Sequence, residues 1–240
     1  MTGVGSRSER SNGVGSRSER SLGPAFPKPD QHVAIAGMTG SGKTVGALNM
    51  MVHRLNNNPE IPWLMIDHKR DDNLAKMPAE KLSVNTRFLP GKGLFIVRPS
   101  IRGTDKPELE TLLERLFKAG KWGVFVDEGH LMGKSPAIND ILVAGRSKRV
   151  VVMWCSQRAQ NIDPFVWSQS TFYRAYQLQT GLDVKRFNEN FPVRYFEPER
   201  FHSHYYDGTQ RKTFYLGPSP DLRETISLLD VHVMKEHTRI

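Results

Sequence analysis

The sequence predicts an α/β fold in which a central, mainly parallel β-sheet is flanked by helices. From His32 onwards, short apolar runs of strand length alternate with longer stretches of helical character. The first of these runs leads directly into a glycine-rich loop and then into a helical pattern. Because parallel strands need crossover connections, which are usually helices, this alternation is typical of an α/β domain.

Six apolar runs are predicted to form the strands of this sheet. They are residues 33–36, 63–66, 94–97, 124–126, 150–154 and 172–178. Three helices are predicted between them, at residues 43–55, 107–118 and 136–144. A β-hairpin is expected near the C-terminus with its turn at Asp207-Gly208, since Asp-Gly between strand-forming residues is a strong hairpin signal.

The folded domain is predicted to span residues 31–240, with the hairpin and a tail from about residue 190. Residues 1–30 are expected to form a leader, in which the sequence GVGSRSERS occurs at positions 3–11 and again at 13–21. A segment of this composition has little to bury, so we expect it to be disordered. It either tethers the chain to a partner or is simply a flexible leader, and Pro24, Pro27 and Pro29 then predict an extended approach to the domain.

The composition indicates a basic protein without a membrane span. The chain has 240 residues and a formal net charge of +9, most of it located after residue 30. Such an excess favours contact with nucleic acid or with another acidic partner. No apolar run approaches the roughly 20 residues that cross a bilayer, and the single cysteine, Cys155, favours a reducing, cytoplasmic setting.

The strongest motif follows the first predicted strand. The sequence GMTGSGKT matches G-x-x-x-x-G-K-[ST] at every fixed position. Its glycines allow successive backbone N–H groups to point inward, and the following helix adds its positive N-terminal end. Lys43 can reach the β- and γ-phosphates, and the Thr44 hydroxyl can bind Mg²⁺. The nucleotide-binding residues predicted from this loop are Gly37, Met38, Thr39, Gly40, Ser41, Gly42, Lys43 and Thr44.

Two further strand ends carry candidate catalytic residues. The run GVFVDE ends in Asp127 and Glu128, where a parallel sheet presents its carboxyl edge to a ligand. Asp127 is expected to bind Mg²⁺ through water, and Glu128 to polarise the attacking water as a general base. Gln157 follows the next strand, and its amide is a candidate sensor of the γ-phosphate. The alternative is that these are solvated loop residues.

Taken together, GMTGSGKT, FVDEGH and GRSKR followed by VVMWCSQRAQNID resemble the FtsK/HerA superfamily of DNA-pumping ATPases, over residues 33 to about 183. The compact chain is most similar to the genome-packaging ATPases of tailless, membrane-containing viruses. This resemblance implies an additional-strand, RecA-like P-loop NTPase fold. It also implies ATP and Mg²⁺ as cofactors, and a homo-oligomeric, hexameric ring that moves double-stranded DNA. Capsid or portal-vertex proteins are the implied partners, and the host cytoplasm or the virion the implied location.

The resemblance assigns roles to individual residues. The family's nucleotide lysine and magnesium threonine correspond to Lys43 and Thr44, its acidic pair to Asp127 and Glu128, and its sensor glutamine to Gln157. Rings of this kind complete each site with an arginine from the neighbouring subunit. Arg146 and Arg149 are the candidates for this arginine, with Arg158 as a third. The alternative for Arg146 and Arg149 is that they are solvated charges at a helix end.

Other charged residues give weaker indications. A translocating motor grips backbone phosphates, so exposed cations near loops are candidate DNA contacts. These candidates are Lys134, Arg194, Arg200, Arg211 and Lys212. Residues 67–70 (DHKR) follow the second strand at the sheet edge where ligands bind, so they are candidates to contact the nucleotide or relay its state, but an ordinary loop is the favoured interpretation. His130, His202 and His204 are expected to be scattered surface residues rather than metal ligands.

Two other functions remain open at this point. One is a nucleotide-gated phage assembly or morphogenesis factor of the zonula-occludens-toxin-like (Zot-like) kind, in which no DNA moves; its usual membrane-spanning segment is not found in this sequence. The other is a small-molecule or nucleotide kinase, which requires an arginine-rich lid that we do not recognise here. Gln157 and the strand-end acids favour the DNA translocase.

Overall fold

The computed structural model describes residues 23–229, and the elements below belong to that range. The predictions for the repeated leader at 3–21 and for the tail beyond residue 229 lie outside the described residues. The strands are β1 (Val33–Ala36), β2 (Trp63–Asp67), β3 (Glu80–Leu82), β4 (Leu94–Val97), β5 (Trp122–Asp127), β6 (Val150–Ser156), β7 (Phe172–Ala175), β8 (Ser203–Asp207) and β9 (Lys212–Leu216). The helices are α1 (Lys43–Asn57), α2 (Asp72–Lys76), α3 (Lys106–Ala119), α4 (Pro136–Lys148), α5 (Pro164–Gln169), α6 (Gly181–Asn190) and α7 (Leu222–Ser227).

All nine strands of the described range join one sheet in the order β3-β4-β2-β5-β6-β1-β7-β8-β9. The strands from β3 to β7 pair in parallel, whereas β8 and β9 pair antiparallel. The predicted α/β architecture with a mainly parallel sheet is therefore confirmed. Strand β6 lies between β1 and β5, so the ends of three consecutive strands in the sheet meet at one edge.

Both faces of the central strands are buried, which explains why they are continuous apolar runs rather than alternating ones. Within β6, Val150, Val152 and Trp154 pack into one core, whereas Val151, Met153 and Cys155 pack into the other. Successive side chains of a strand point to opposite faces, so each strand contributes to both cores. The sheet is thus the middle of three layers.

The two principal helices have apolar residues at the i, i+3, i+4 and i+7 positions of one face. In α1 these are Leu48, Met51, Val52 and Leu55, which pack on one side of the sheet. In α3 they are Leu109, Leu112, Leu113 and Leu116, which pack on the other side. No helix of residues 23–229 is long and apolar enough to cross a bilayer.

The C-terminal hairpin is confirmed, but it is an integral part of the sheet. Strand β8 pairs with β7, and β9 then forms the sheet edge. The Asp207 carboxylate closes the loop between β8 and β9 because its Oδ1 accepts hydrogen bonds from the N–H groups of Thr209 (2.8 Å) and Gln210 (3.2 Å). The same side chain also holds the N-terminal approach segment, since the N–H of Ala25 donates to Asp207 Oδ2 at 2.9 Å.

Several element predictions need correction. The predicted strand at 172–178 ends at Ala175, because the chain then turns toward the glycine-rich loop, where the N–H of Met38 donates to the Gln177 carbonyl at 2.8 Å. Strand β3 and helices α2, α5, α6 and α7 were not predicted. Each of these is short, from three to ten residues, so its periodicity is too brief to recognise.

The contact between β2 and β5 yields a test of the packing. Gly123 lies directly opposite Trp63, and a Cβ at Gly123 would collide with the Trp63 indole. Because this ring is fully buried, we expect Gly123→Ala to lower the free energy of unfolding by about 1–3 kcal/mol. Gly181→Ala is the matched control, since its Cβ would meet no atom within 4 Å. Equal stability of the two variants in urea denaturation would contradict this account of the sheet.

Candidate nucleotide-binding site

The glycine-rich loop joins β1 to α1 and depends on glycine at two of its positions. Gly40 and Gly42 have φ values of 79° and 90°, in the region that favours glycine. The loop is anchored at its start, where the N–H of Gly37 donates to the Ser156 carbonyl at 3.2 Å. Gly42 caps α1 without a side-chain hydrogen bond, and the first turn of α1 contains no acidic residue. The positive end of the helix is therefore available to an anion.

Lys43 lies at the first position of α1 and is buried. Its Nζ is 3.4 Å from Glu128 Oε1 and 3.5 Å from Thr44 Oγ1. Burial opposes the charged form of Lys43, but the acidic groups around it more than compensate, so its pKa is raised above the ordinary value. Lys43 therefore brings a permanent positive charge to the loop.

Asp127 is the last residue of β5, and its buried carboxylate lacks a hydrogen-bond partner among the described residues for one of its oxygens. Burial, aided by the neighbouring Glu128 and only partly offset by Lys43, raises the pKa of Asp127 to about 7. Its Oδ1 is buried and has no hydrogen-bond partner. Mg²⁺ in P-loop enzymes is held by a hydroxyl and, through water, by a strand-end carboxylate, so an unpartnered Asp127 oxygen fits a hydrated cation. Thr44, in the first turn of α1, carries a hydroxyl that can serve as the other ligand.

Glu128 follows Asp127 and is held by contacts from several directions. It has a φ of 51°, a left-handed conformation that is uncommon for a residue other than glycine. Its Oε2 accepts a hydrogen bond from the backbone N–H of Gln157 at 3.0 Å and lies 3.4 Å from His130 Nδ1. Such strain is maintained only where surrounding contacts determine the conformation, and it is concentrated at functional sites.

These elements enclose a cleft of about 300 Å³. Most of the predicted site residues line it: Met38, Thr39, Gly40, Gly42, Lys43, Thr44, Glu128 and Gln157. Gly37, Ser41 and Asp127 do not line the cleft, and all three are buried. The structure therefore brings together residues from three sequence segments at the carboxyl edge of β1, β5 and β6.

Lys69 is a cleft residue that the sequence reasoning assigned to an ordinary loop. Its Nζ lies 3.3 Å from Glu128 Oε1, on the same oxygen that Lys43 approaches. The sequence did contain a signal for Lys69, because it closely follows β2, whose last residue, Asp67, pairs in register with Asp127. The other lining residues that were not predicted are Val45, Asp71, Asn73 and Phe201.

The candidate arginines lie away from this cleft. Arg149 immediately precedes β6 and pairs with Glu60 at 3.0 Å, and Arg146 donates to Thr171 Oγ1 at 2.9 Å. Gln157 follows the other end of β6, so the seven-residue strand separates the two positions by roughly 20 Å. Neither arginine can therefore serve the cleft of its own chain.

Arg158 has structural partners within its own chain. Its Nε donates to Asp183 Oδ2 at 2.8 Å, and its NH2 group donates to Thr180 Oγ1 at 3.0 Å. The candidate DNA-contacting residues Lys134, Arg194, Arg200, Arg211 and Lys212 are all exposed. Of these, Arg200 lies next to the cleft residue Phe201.

Comparison with known proteins supports the resemblance to packaging ATPases. No family model matches the chain. The chain is 28% identical over 226 residues to the DNA packaging ATPase P9 of Enterobacteria phage PRD1, covering 89% of this chain and 98% of that protein. This similarity confirms the predicted resemblance to packaging ATPases.

Solved structures share the fold. The genome packaging NTPase B204 from Sulfolobus turreted icosahedral virus 2, in complex with ATP-gammaS, matches with a TM-score of 0.65 and 17% identity, covering 81% of this chain and 100% of that one. EccC (ATPases 2 and 3) from Thermomonospora curvata matches with a TM-score of 0.54 and 13% identity, covering 82% of this chain and 42% of that one. These matches confirm the RecA-like P-loop fold.

The buried carboxylate of Asp127 gives a prediction about stability. Its folded-state pKa of about 7 lies above its ordinary value of 3.8, so ionisation costs folding free energy that is absent below about pH 4 and complete above pH 7. In Mg²⁺-free buffer at pH 8, we expect Asp127→Asn to raise the free energy of unfolding by about 1–3 kcal/mol, and this gain to shrink at pH 5. Chemical denaturation measures it, with the exposed Asp140→Asn as control. A variant less stable than wild type at pH 8 would contradict the prediction.

Proposed function

We propose that this protein is an ATPase that drives double-stranded DNA into a viral capsid. The observation that carries the proposal is the convergence of Lys43, Thr44, Asp127, Glu128 and Gln157 at one edge of the sheet. The similarity along nearly the whole chain to a DNA packaging ATPase supports DNA packaging as the process that hydrolysis drives. The net charge of +9 suits a protein that grips a phosphate backbone.

The glycine-rich loop binds the triphosphate. Its inward N–H groups and the N-terminus of α1 receive the phosphate oxygens, and Lys43 moves from Glu128 to the β- and γ-phosphates. Mg²⁺, bound by Thr44 and through water by Asp127, would neutralise charge on the β- and γ-oxygens. Departure of Lys43 leaves Lys69 as the remaining lysine beside Glu128 Oε1, and this oxygen can then accept a proton from the attacking water.

Glu128 then activates the attacking water. Its carboxylate is kept in place by the N–H of Gln157, so hydrogen bonding to one oxygen orients the other toward the γ-phosphate. The Gln157 side chain lines the same cleft and can donate to the γ-phosphate. Loss of that phosphate would change the contacts of Gln157 at the end of β6, and this change could transmit hydrolysis to the neighbouring loops.

The assembled form we propose is a homo-oligomeric ring, with six subunits as the expected number. Arg146 and Arg149 lie at the opposite edge of the sheet from the cleft, which suits a residue that acts on a neighbour rather than on its own chain. An arginine donated across a subunit boundary stabilises charge on the transferring phosphoryl group and makes hydrolysis depend on assembly. Portal or capsid proteins at the packaging vertex are the proposed docking partners, in the infected cytoplasm or in the virion.

Steady-state ATP hydrolysis with and without long double-stranded DNA tests the function. We expect Glu128→Gln to bind ATP but to lower kcat by at least about 100-fold, because the general base is lost. DNA should stimulate wild-type hydrolysis, increasingly so at higher protein concentration. Glu114→Gln, an exposed change on α3, is the control and should behave as wild type. Hydrolysis that is indifferent to DNA would instead favour a nucleotide-gated assembly factor.

Mixing two inactive variants tests the arginine. Arg149→Ala and Arg146→Ala are made separately. The variant that lacks the arginine acting on the neighbouring subunit should lose about 10³-fold or more in the rate of ATP hydrolysis. Mixed in equal amounts with Glu128→Gln subunits, that variant should recover activity at about a quarter of the sites, where an intact Glu128 faces an intact neighbouring arginine. Lys148→Ala provides the charge-matched control. If neither mixture recovers activity, neither Arg146 nor Arg149 is the arginine that completes the neighbouring site.

A further inference from the structure

The aromatic ring of Phe201 lines the nucleotide cleft from the side opposite to the catalytic residues. Phe201 is 40% exposed, although it lies only two residues before β8. A side chain added at Gly42, in the phosphate loop, would meet the Phe201 ring at 3.0 Å. Phe201 therefore faces the loop directly, although it is separated from the loop by more than 150 residues of sequence.

The strand order determines which residues lie at each end of the cleft. Glu128 and Gln157 follow β5 and β6, which lie on one side of β1. Phe201 precedes β8, which lies two strands away on the other side of β1. If the γ-phosphate points to Glu128, the rest of the nucleotide extends toward Phe201. Val45, in the first turn of α1, is a further apolar residue of the cleft lining.

The backbone of Phe201 is held in a costly conformation. Its φ of 67° lies in the left-handed region, which is uncommon for a bulky residue. The turn around it is closed by the His202 N–H, which donates to the Glu199 carbonyl at 2.9 Å. Strain of this kind persists where the surroundings impose it, commonly at ligand-binding positions.

Strand β9 supplies the contacts that impose this conformation. The Tyr215 hydroxyl accepts a hydrogen bond from the Glu199 N–H at 2.8 Å. The Tyr215 ring also stacks on His202, with centroids 5.4 Å apart and an interplanar angle of 15°. Tyr215 thus holds the turn on both sides of Phe201, so that the hairpin determines where the ring points.

We propose that Phe201 is the stacking platform for the base of the nucleotide, with purines preferred because their larger rings overlap it more fully. The Arg200 guanidinium lies 4.7 Å from the Phe201 ring centroid and helps to fix the ring by a cation–π contact. An exposed aromatic ring at the base end of a phosphate-binding cleft has the geometry that base stacking requires. This inference rests on the proposed ATP site and adds the residue that recognises the base.

Isothermal titration calorimetry with three ligands separates base stacking from phosphate binding. The ligands are ADP, the non-hydrolysable ATP analogue AMPPCP, and inorganic tripolyphosphate, which has no base. Phe201→Ala should weaken ADP and AMPPCP binding about tenfold or more and leave tripolyphosphate binding unchanged. Phe201→Trp should restore nucleotide affinity, since the indole also stacks. Phe88→Ala, at a ring that is 90% exposed in the loop before β4, is the control and should bind all three ligands as wild type does.

Two results would overturn the inference while leaving the ATP site intact. One is unchanged nucleotide affinity in Phe201→Ala. The other is an equal loss for tripolyphosphate, because Phe201 would then shape the phosphate loop rather than bind a base. If wild-type protein binds none of the three ligands, the proposed ATP site itself is wrong and the base platform is rejected with it.

Discussion

The ion pair between Lys43 and Glu128 is the contact on which the site depends. It joins the first residue of α1 to the residue that follows β5, 85 positions later in the sequence, and both partners are buried. A buried ion pair must offset a large desolvation cost, so it is stable only where its remaining polar atoms are satisfied. The N–H of Gln157 and the Nζ of Lys69 meet that requirement around Glu128. The pair therefore requires β1, β2, β5 and β6 to end at the same level.

The strand order makes this arrangement useful for hydrolysis. Because β6 separates β1 from β5, the phosphate loop and the acidic pair are two strand spacings apart, or about 10 Å. A gap of that width accommodates a phosphoryl group, a hydrated cation and an attacking water. Direct pairing of β1 with β5 would halve the gap. The additional strand also places Gln157 between the two halves, where it touches Glu128 through its backbone.

The C-terminal hairpin lies on the other side of β1 and positions a further residue at the cleft. Pairing of β8 with β7 carries the chain back toward the phosphate loop after more than 150 residues. Tyr215 on β9 then holds the strained turn that presents Phe201 to the cleft. The hairpin therefore supports, through the turn that precedes it, one side of the cleft at the phosphate loop.

The sequence by itself determined the α/β class, the central strands, the hairpin and the residues of the phosphate loop and strand ends. These features are encoded locally, since glycine spacing, strand length and the residues directly after a strand act on their own neighbourhood. Only the tertiary structure decided that Lys69 and Phe201 belong to the cleft and that Arg146 and Arg149 lie at the opposite edge from it. Their positions depend on strand order and on pairing across distant segments, for which no short stretch of sequence carries a periodic signal.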